Sequence, residues 1–89
     1  MITEAAVKIF DKRQDKEVII PVHRHWNAFW ILRELGYKNG IDYEILEQGF
    51  INNKDEFLDR VKAKKEAIAC NQIISKDSYS EQLFSEDLW

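Results

Sequence analysis

Residues 26–37, Trp26-Asn27-Ala28-Phe29-Trp30-Ile31-Leu32-Arg33-Glu34-Leu35-Gly36-Tyr37, decide the fold. They predict a helix from about Trp26 to Leu35. Asn27 or His25 is placed to cap its start, Gly36 to adopt the left-handed stop, and Tyr37 to close a Schellman end. On either side the pattern changes to that of strands. Upstream, Val7 and Ile9 alternate with Lys8 and Phe10 inside residues 4–10, a period of two. Polar residues 11–16 turn the chain into a second β-branched run, residues 17–22. Pro21 lacks a backbone N–H, so it belongs at a sheet edge or at the strand end. Downstream, Asn39-Gly40 marks a loop over residues 38–43, and residues 44–51 read as a strand with a bulge at Gly49. Residues 52–56 form a turn and Phe57-Leu58 return as a short strand. Asp59 caps a second helix over residues 60–70, and Asn71, which tolerates positive φ, ends it. The order β-β-α-β-β-α predicts one small two-layer α+β domain over residues 1–89. The tail from Ser75 to Trp89 is polar except for Leu83-Phe84 and Leu88-Trp89, and these pairs predict that it docks on the body.

The first helix is apolar on two sides. At about 100° per residue, Ala28, Ile31, Leu32 and Leu35 share a face and predict the core stripe. Trp26, Trp30, Arg33 and Tyr37 fall opposite, with Phe29 on one flank and Asn27 and Glu34 on the other. A two-layer domain buries one helix face, so the second stripe calls for a second covering. Three coverings are open: the C-terminal tail with Phe84, Leu88 and Trp89; a second copy of the chain; or a planar ligand stacked on an indole beside Arg33. In the second helix, Val61 and Ile68 are expected to continue the face of Phe57. Ala63, Ala67 and Cys70 form a small-residue strip against the sheet, which makes Cys70 a buried small hydrophobe and not a nucleophile. Arg60, Lys62, Lys64 and Lys65 read as solvated helix charge. Arg60 stands apart, because free backbone N–H groups at a helix start also favour an anion.

The chain has 89 residues, thirteen Lys and Arg against sixteen Asp and Glu, and a net charge of −3. A chain this short leaves roughly 40% of its unfolded surface exposed, so its core is thin and association would relieve it. One cysteine excludes a disulfide framework and fits a reducing compartment. The acidic balance argues against an extended nucleic-acid binder but leaves room for one small cationic pocket. No run approaches the roughly 18 apolar residues of a membrane span. The first residues, Met1 to Ala6, have no positive segment of a secretory signal. The expected setting is cytoplasmic, away from membranes, without a cofactor.

His23, Arg24 and His25 precede the helix. On an extended segment the two imidazoles would point the same way and offer two metal ligands, but no third ligand accompanies them at a recognisable spacing. His25 with Asp59 or Glu86 would suit a small hydrolase, although nothing marks a nucleophile. Recognition is the stronger reading. Arg24 offers a planar fork for phosphate or carboxylate, and His25 and Asn27 add polar groups at the helix start. The candidate ligand-binding set is therefore Arg24, His25, Asn27, Phe50 and Arg60, with Trp26, Trp30 or Phe50 stacking on a base. The candidate interface is Trp26, Trp30, Arg33 and Tyr37.

Several segments follow one another in a recognisable order: Arg24-His25-Trp26-Asn27, Gln48-Gly49-Phe50, Phe57-Leu58-Asp59-Arg60-x-x-Ala63, Asn71-Gln72-Ile73 and the end Ser85-Glu86-Asp87-Leu88-Trp89. The chain resembles small phage and prophage proteins with Arg-His-His-Asp or His-Ala-Asp, then Gln-Gly-Phe, Phe-Val-Asp-Arg-x-x-Ala, Gly-Gln-Ile and a final Ser-Glu-Asp-Leu-Trp. It departs from that pattern with Asn27 in place of Asp and Asn71 in place of Gly. The resemblance implies a phage accessory protein of anti-defence type, working in the cytoplasm of an infected bacterium. Such a protein would sequester a small anionic nucleotide-derived immune signal within a homo-oligomer, or bind and inhibit a host defence protein. In the final segment, the aromatic ends are expected to be buried and Glu86 or Asp87 to pair with Arg60 or Arg24.

Overall fold

A computed structural model describes residues 1–74 and 80–89. The chain folds as β1 (Ile2–Asp11), β2 (Lys16–Val22), α1 (His25–Glu34), β3 (Tyr43–Asn52), β4 (Phe57–Asp59) and α2 (Arg60–Ala69), with a 3₁₀ turn at Ser85–Asp87. The four strands form one antiparallel sheet in the order β2-β1-β3-β4. This is the predicted β-β-α-β-β-α order and α+β class. α1 packs on β1 and β2, while α2 packs on β3, β4 and β1.

One core joins both helices to the sheet. Val7 and Ile9 of β1, Phe50 of β3, Ala28 and Leu32 of α1, and Ala63 and Ala67 of α2 are all buried in it. Ala5 pairs with both Val22 and Phe50 across the ladders, which fixes the register of the central strand. The alanines let the helix backbones approach closely, which is how a thin core closes. Leu83 and Leu88 of the tail are buried in the same cluster, and Ile74 and Leu83 donate backbone hydrogen bonds to Asp87 and Arg60 at 2.8 and 2.9 Å. The predicted docking of the tail's apolar residues is therefore present. Its expected polar start, residues 75–79, lies outside the described residues.

Both helix ends form by the expected chemistry. Asp59 accepts a hydrogen bond from the Lys62 N–H at 2.8 Å and caps α2. Gly36 has φ +81° and Asn71 has φ +55°. Each is followed by the paired backbone bonds of a Schellman end, Tyr37 to Leu32 at 2.9 Å and Gln72 to Ala67 at 2.9 Å.

Four local expectations are corrected. The N-cap of α1 is Arg24, not Asn27 or His25; Asn27 sits at the third helical position and accepts the Arg24 N–H at 2.9 Å. The register slip in β3 lies between the pairs Lys8–Glu47 and Ile9–Ile45, so Leu46 is the extra residue and Gly49 is not. Gly49 is needed for a different reason, since a Cβ there would lie 2.2 Å from the Leu58 carbonyl oxygen. The buried line of α1 is His25, Ala28 and Leu32, whereas Ile31 and Leu35 are exposed, Leu35 by 64%. The helix is rotated because His25 reaches down to β3, and that contact fixes which stripe faces the sheet. In α2, Ala63, Lys64 and Ala67 are buried, while Val61, Ile68 and Cys70 are exposed. The short β4 leads straight into α2, so its first turn is aimed by the strand and by the Asp59 cap.

Candidate functional site

The outer side of α1 carries an open aromatic surface. Trp26 and Trp30 are 63% and 51% exposed. With Phe29, Arg33, Tyr37 and Tyr43 they line a groove of about 630 Å³, which Lys38 and Asn39 complete. The sequence already implied part of this geometry. The i, i+4 spacing sets the indoles side by side, and the Gly36 turn folds Tyr37 back toward the helix. The Tyr37 hydroxyl donates to buried Asp11 at 3.2 Å, and the Arg13 guanidinium lies 4.3 Å from the Tyr37 ring centre. The far wall is therefore held in place. Arg33 and Lys38 have no carboxylate within ion-pair distance among the described residues. The predicted interface residues Trp26, Trp30, Arg33 and Tyr37 thus meet on one surface. Sequence reasoning missed Lys38 and Tyr43, because the loop between α1 and β3 brings them alongside the helix.

The described tail residues, 80–89, leave Trp26 and Trp30 exposed. Trp89 stacks on His23 with ring centres 5.3 Å apart and donates from its indole N–H to the His23 carbonyl oxygen at 2.7 Å. Arg24 reaches the tail from the helix start. Its guanidinium donates to Ser85 Oγ at 3.3 Å and to the Trp89 carbonyl oxygen, and it lies 3.8 Å from Glu86. The expected pairing of Glu86 with Arg24 is present, although the Glu86 side chain is largely exposed. Phe84, expected to be buried, is partly exposed and lies against Arg60.

The five candidate ligand residues are distributed unequally. Phe50 is fully buried and meets the His25 ring edge-on at 5.0 Å. Asn27 closes the start of α1, and Arg24 holds the tail. His25 and Arg60, by contrast, face one cleft of about 260 Å³ together with Trp26, Gln48, Phe84 and Glu86. The His25 ring is buried and its Nε2 lies 2.8 Å from the Gly49 carbonyl oxygen. A carbonyl only accepts, so Nε2 carries the proton. Burial lowers the His25 pKa, with nearby Arg60 acting in the same direction. Burial likewise lowers the pKa of Arg60, which donates to the Leu83 carbonyl oxygen at 2.8 Å and to Gln48 Oε1 at 3.1 Å.

His23 and His25 do not point the same way as expected, because His25 already belongs to the helix and His23 stacks on the tail. Among the described residues, no group of three or more His, Cys, Asp or Glu is placed to hold a metal ion. Of the two carboxylates weighed for a hydrolase, Asp59 caps α2, whereas Glu86 lines the same cleft as His25 and lies 3.8 Å from Arg24.

Fold and groove define the class: a small antiparallel α+β domain with an aromatic groove along one helix. The chain belongs to the phage T4 y16D protein family, whose model matches residues 1–89. No curated protein and no solved structure matches it. No helix among the described residues is long and apolar enough to cross a membrane.

Proposed function

We infer that the chain is a phage accessory binding protein that works in the cytoplasm of the infected bacterium, with the Trp26–Trp30–Tyr37 groove as its working surface and a host protein as its partner. The observation that carries this reading is the exposure of two indoles on one helix while the described tail residues dock elsewhere. Tryptophan, tyrosine and arginine are the residue types that dominate binding energy at protein interfaces. The groove is also more cationic than the chain as a whole, since it contains Arg33 and Lys38 and no carboxylate. That favours a partner surface with acidic groups around an apolar anchor. Inhibition of a host defence protein is the activity such a surface would serve.

The test is direct binding between the wild-type chain or Trp30→Ala and each host protein recovered on it, using purified components. The variant should keep its fold and bind at least about tenfold more weakly, as expected for an interface anchor. Equal affinity would sink the reading. Solution mass of both forms covers the other expected occupant: a wild-type dimer that Trp30→Ala converts to monomer would assign the groove to a second copy instead.

A further inference from the structure

The cleft between the start of α1 and the start of α2 contains a combination of groups that the fold does not use up. Arg60 spends two of its N–H groups on Leu83 and Gln48, and its guanidinium carbon lies 5.0 Å from the Phe84 ring centre. It has no carboxylate within ion-pair distance among the described residues. Glu86, which lines the same cleft beyond ion-pair distance, is the carboxylate whose charge acts on it, and a half-buried guanidinium with no contact ion pair attracts an anion more strongly than a solvated one. Gln48 turns its carbonyl oxygen to Arg60, which leaves its amide N–H groups as donors beside the same guanidinium.

His25 supplies the complementary group. Its Nε2 proton is committed to the Gly49 carbonyl, so Nδ1 of the neutral ring is an acceptor. No buried side-chain nitrogen or oxygen lacks a partner among the described residues, so Nδ1, for which no bond is present, is not fully sealed in the core. His25 is among the residues that line the cleft. Trp26 forms one wall with an exposed indole face. The volume, about 260 Å³, lies just under the usual range for small-molecule sites and suits a single small ligand.

We propose that this cleft binds a phosphate monoester attached to a planar ring, of the mononucleotide type. The phosphate sits on Arg60 and the Gln48 amide, a ligand hydroxyl or ring N–H donates to His25 Nδ1, and the ring stacks on Trp26. Glu86 stands at the rim, 3.8 Å from Arg24, and its charge opposes the phosphate. This site adjoins the groove and shares Trp26 and Phe29 with it, but Trp30 and Tyr37 do not line it.

The experiment titrates adenosine 5′-monophosphate, adenosine and ribose 5-phosphate into the full chain, followed by tryptophan fluorescence and calorimetry. The monophosphate should bind saturably, and the other two probes at least about tenfold more weakly, because each lacks one anchor. Glu86→Gln should tighten monophosphate binding several-fold, the reverse of what a purely structural role for Glu86 would give. Arg60→Lys should weaken it about tenfold; near-ultraviolet circular dichroism and Tm check that the tail stays docked. Trp30→Ala should leave monophosphate affinity unchanged, so failure here is distinguishable from failure of the groove reading. Absence of saturable binding, equal binding of all three probes, or no tightening in Glu86→Gln would overturn the proposal.

Discussion

His25 on the first turn of α1 donates from Nε2 to the carbonyl oxygen of Gly49 in the middle of β3, at 2.8 Å. This bond joins a helix to the strand that also carries Phe50, whose ring the imidazole meets edge-on. It fixes the rotation of α1, and with it which aromatic residues face outward. His25→Ala should therefore destabilise the fold by about 2–4 kcal/mol, since it leaves a buried carbonyl unpaired and a cavity beside Phe50. Urea denaturation of the two proteins measures this.

The same residue gives stability a pH dependence. Burial lowers the His25 pKa below its unfolded value of about 6.5. As pH falls through that value, the unfolded chain takes up the proton before the folded one does. Stability is thus fully present above about pH 6.5 and declines on acidification toward the lower folded pKa. Thermal melts between about pH 7.5 and pH 5.5 should show the decline in the wild type and a flatter profile in His25→Gln. That window lies above the range where carboxylates titrate.

Gly49 tests the close approach of β4. A Cβ at this position would meet the Leu58 carbonyl oxygen at 2.2 Å, a backbone atom that cannot swing aside. Gly49→Ala should cost about 3 kcal/mol or more and loosen the β3–β4 pairing. Denaturant unfolding, with hydrogen exchange at Leu58 and Asp59, reads both effects.

Trp26 and Trp30 should behave in the opposite way. Both are exposed, so each alanine variant should change stability by less than about 1 kcal/mol in thermal melts. A loss of several kcal/mol would show that the indoles hold the fold together instead of presenting a surface.

The Asp59 cap is a local contribution. Asp59→Ala removes the acceptor for the Lys62 N–H and should cost about 1 kcal/mol of stability. Asp59→Asn should retain most of it, and the two variants compared by chemical denaturation separate capping from charge.

The sequence by itself determined the element order, because the signals involved are local. Period-two alternation marked β1, and Asp59, Gly36 and Asn71 set helix boundaries through backbone chemistry that acts within a few residues. The i, i+4 spacing likewise put Trp26 and Trp30 on one side of α1. Only the tertiary structure decided how that helix is rotated, since the choice depends on His25 reaching a carbonyl 24 residues away. The 100° periodicity allowed Ile31 and Leu35 as core just as well, and the contact with β3 excluded them. The same holds for the arginines. Their number and spacing do not say that Arg24 and Arg60 both hold the tail while Arg60 alone of the two also lines the cleft with His25. That division follows from where the last residues dock, and docking is set by the burial of Leu83 and Leu88 in a core made by distant parts of the chain.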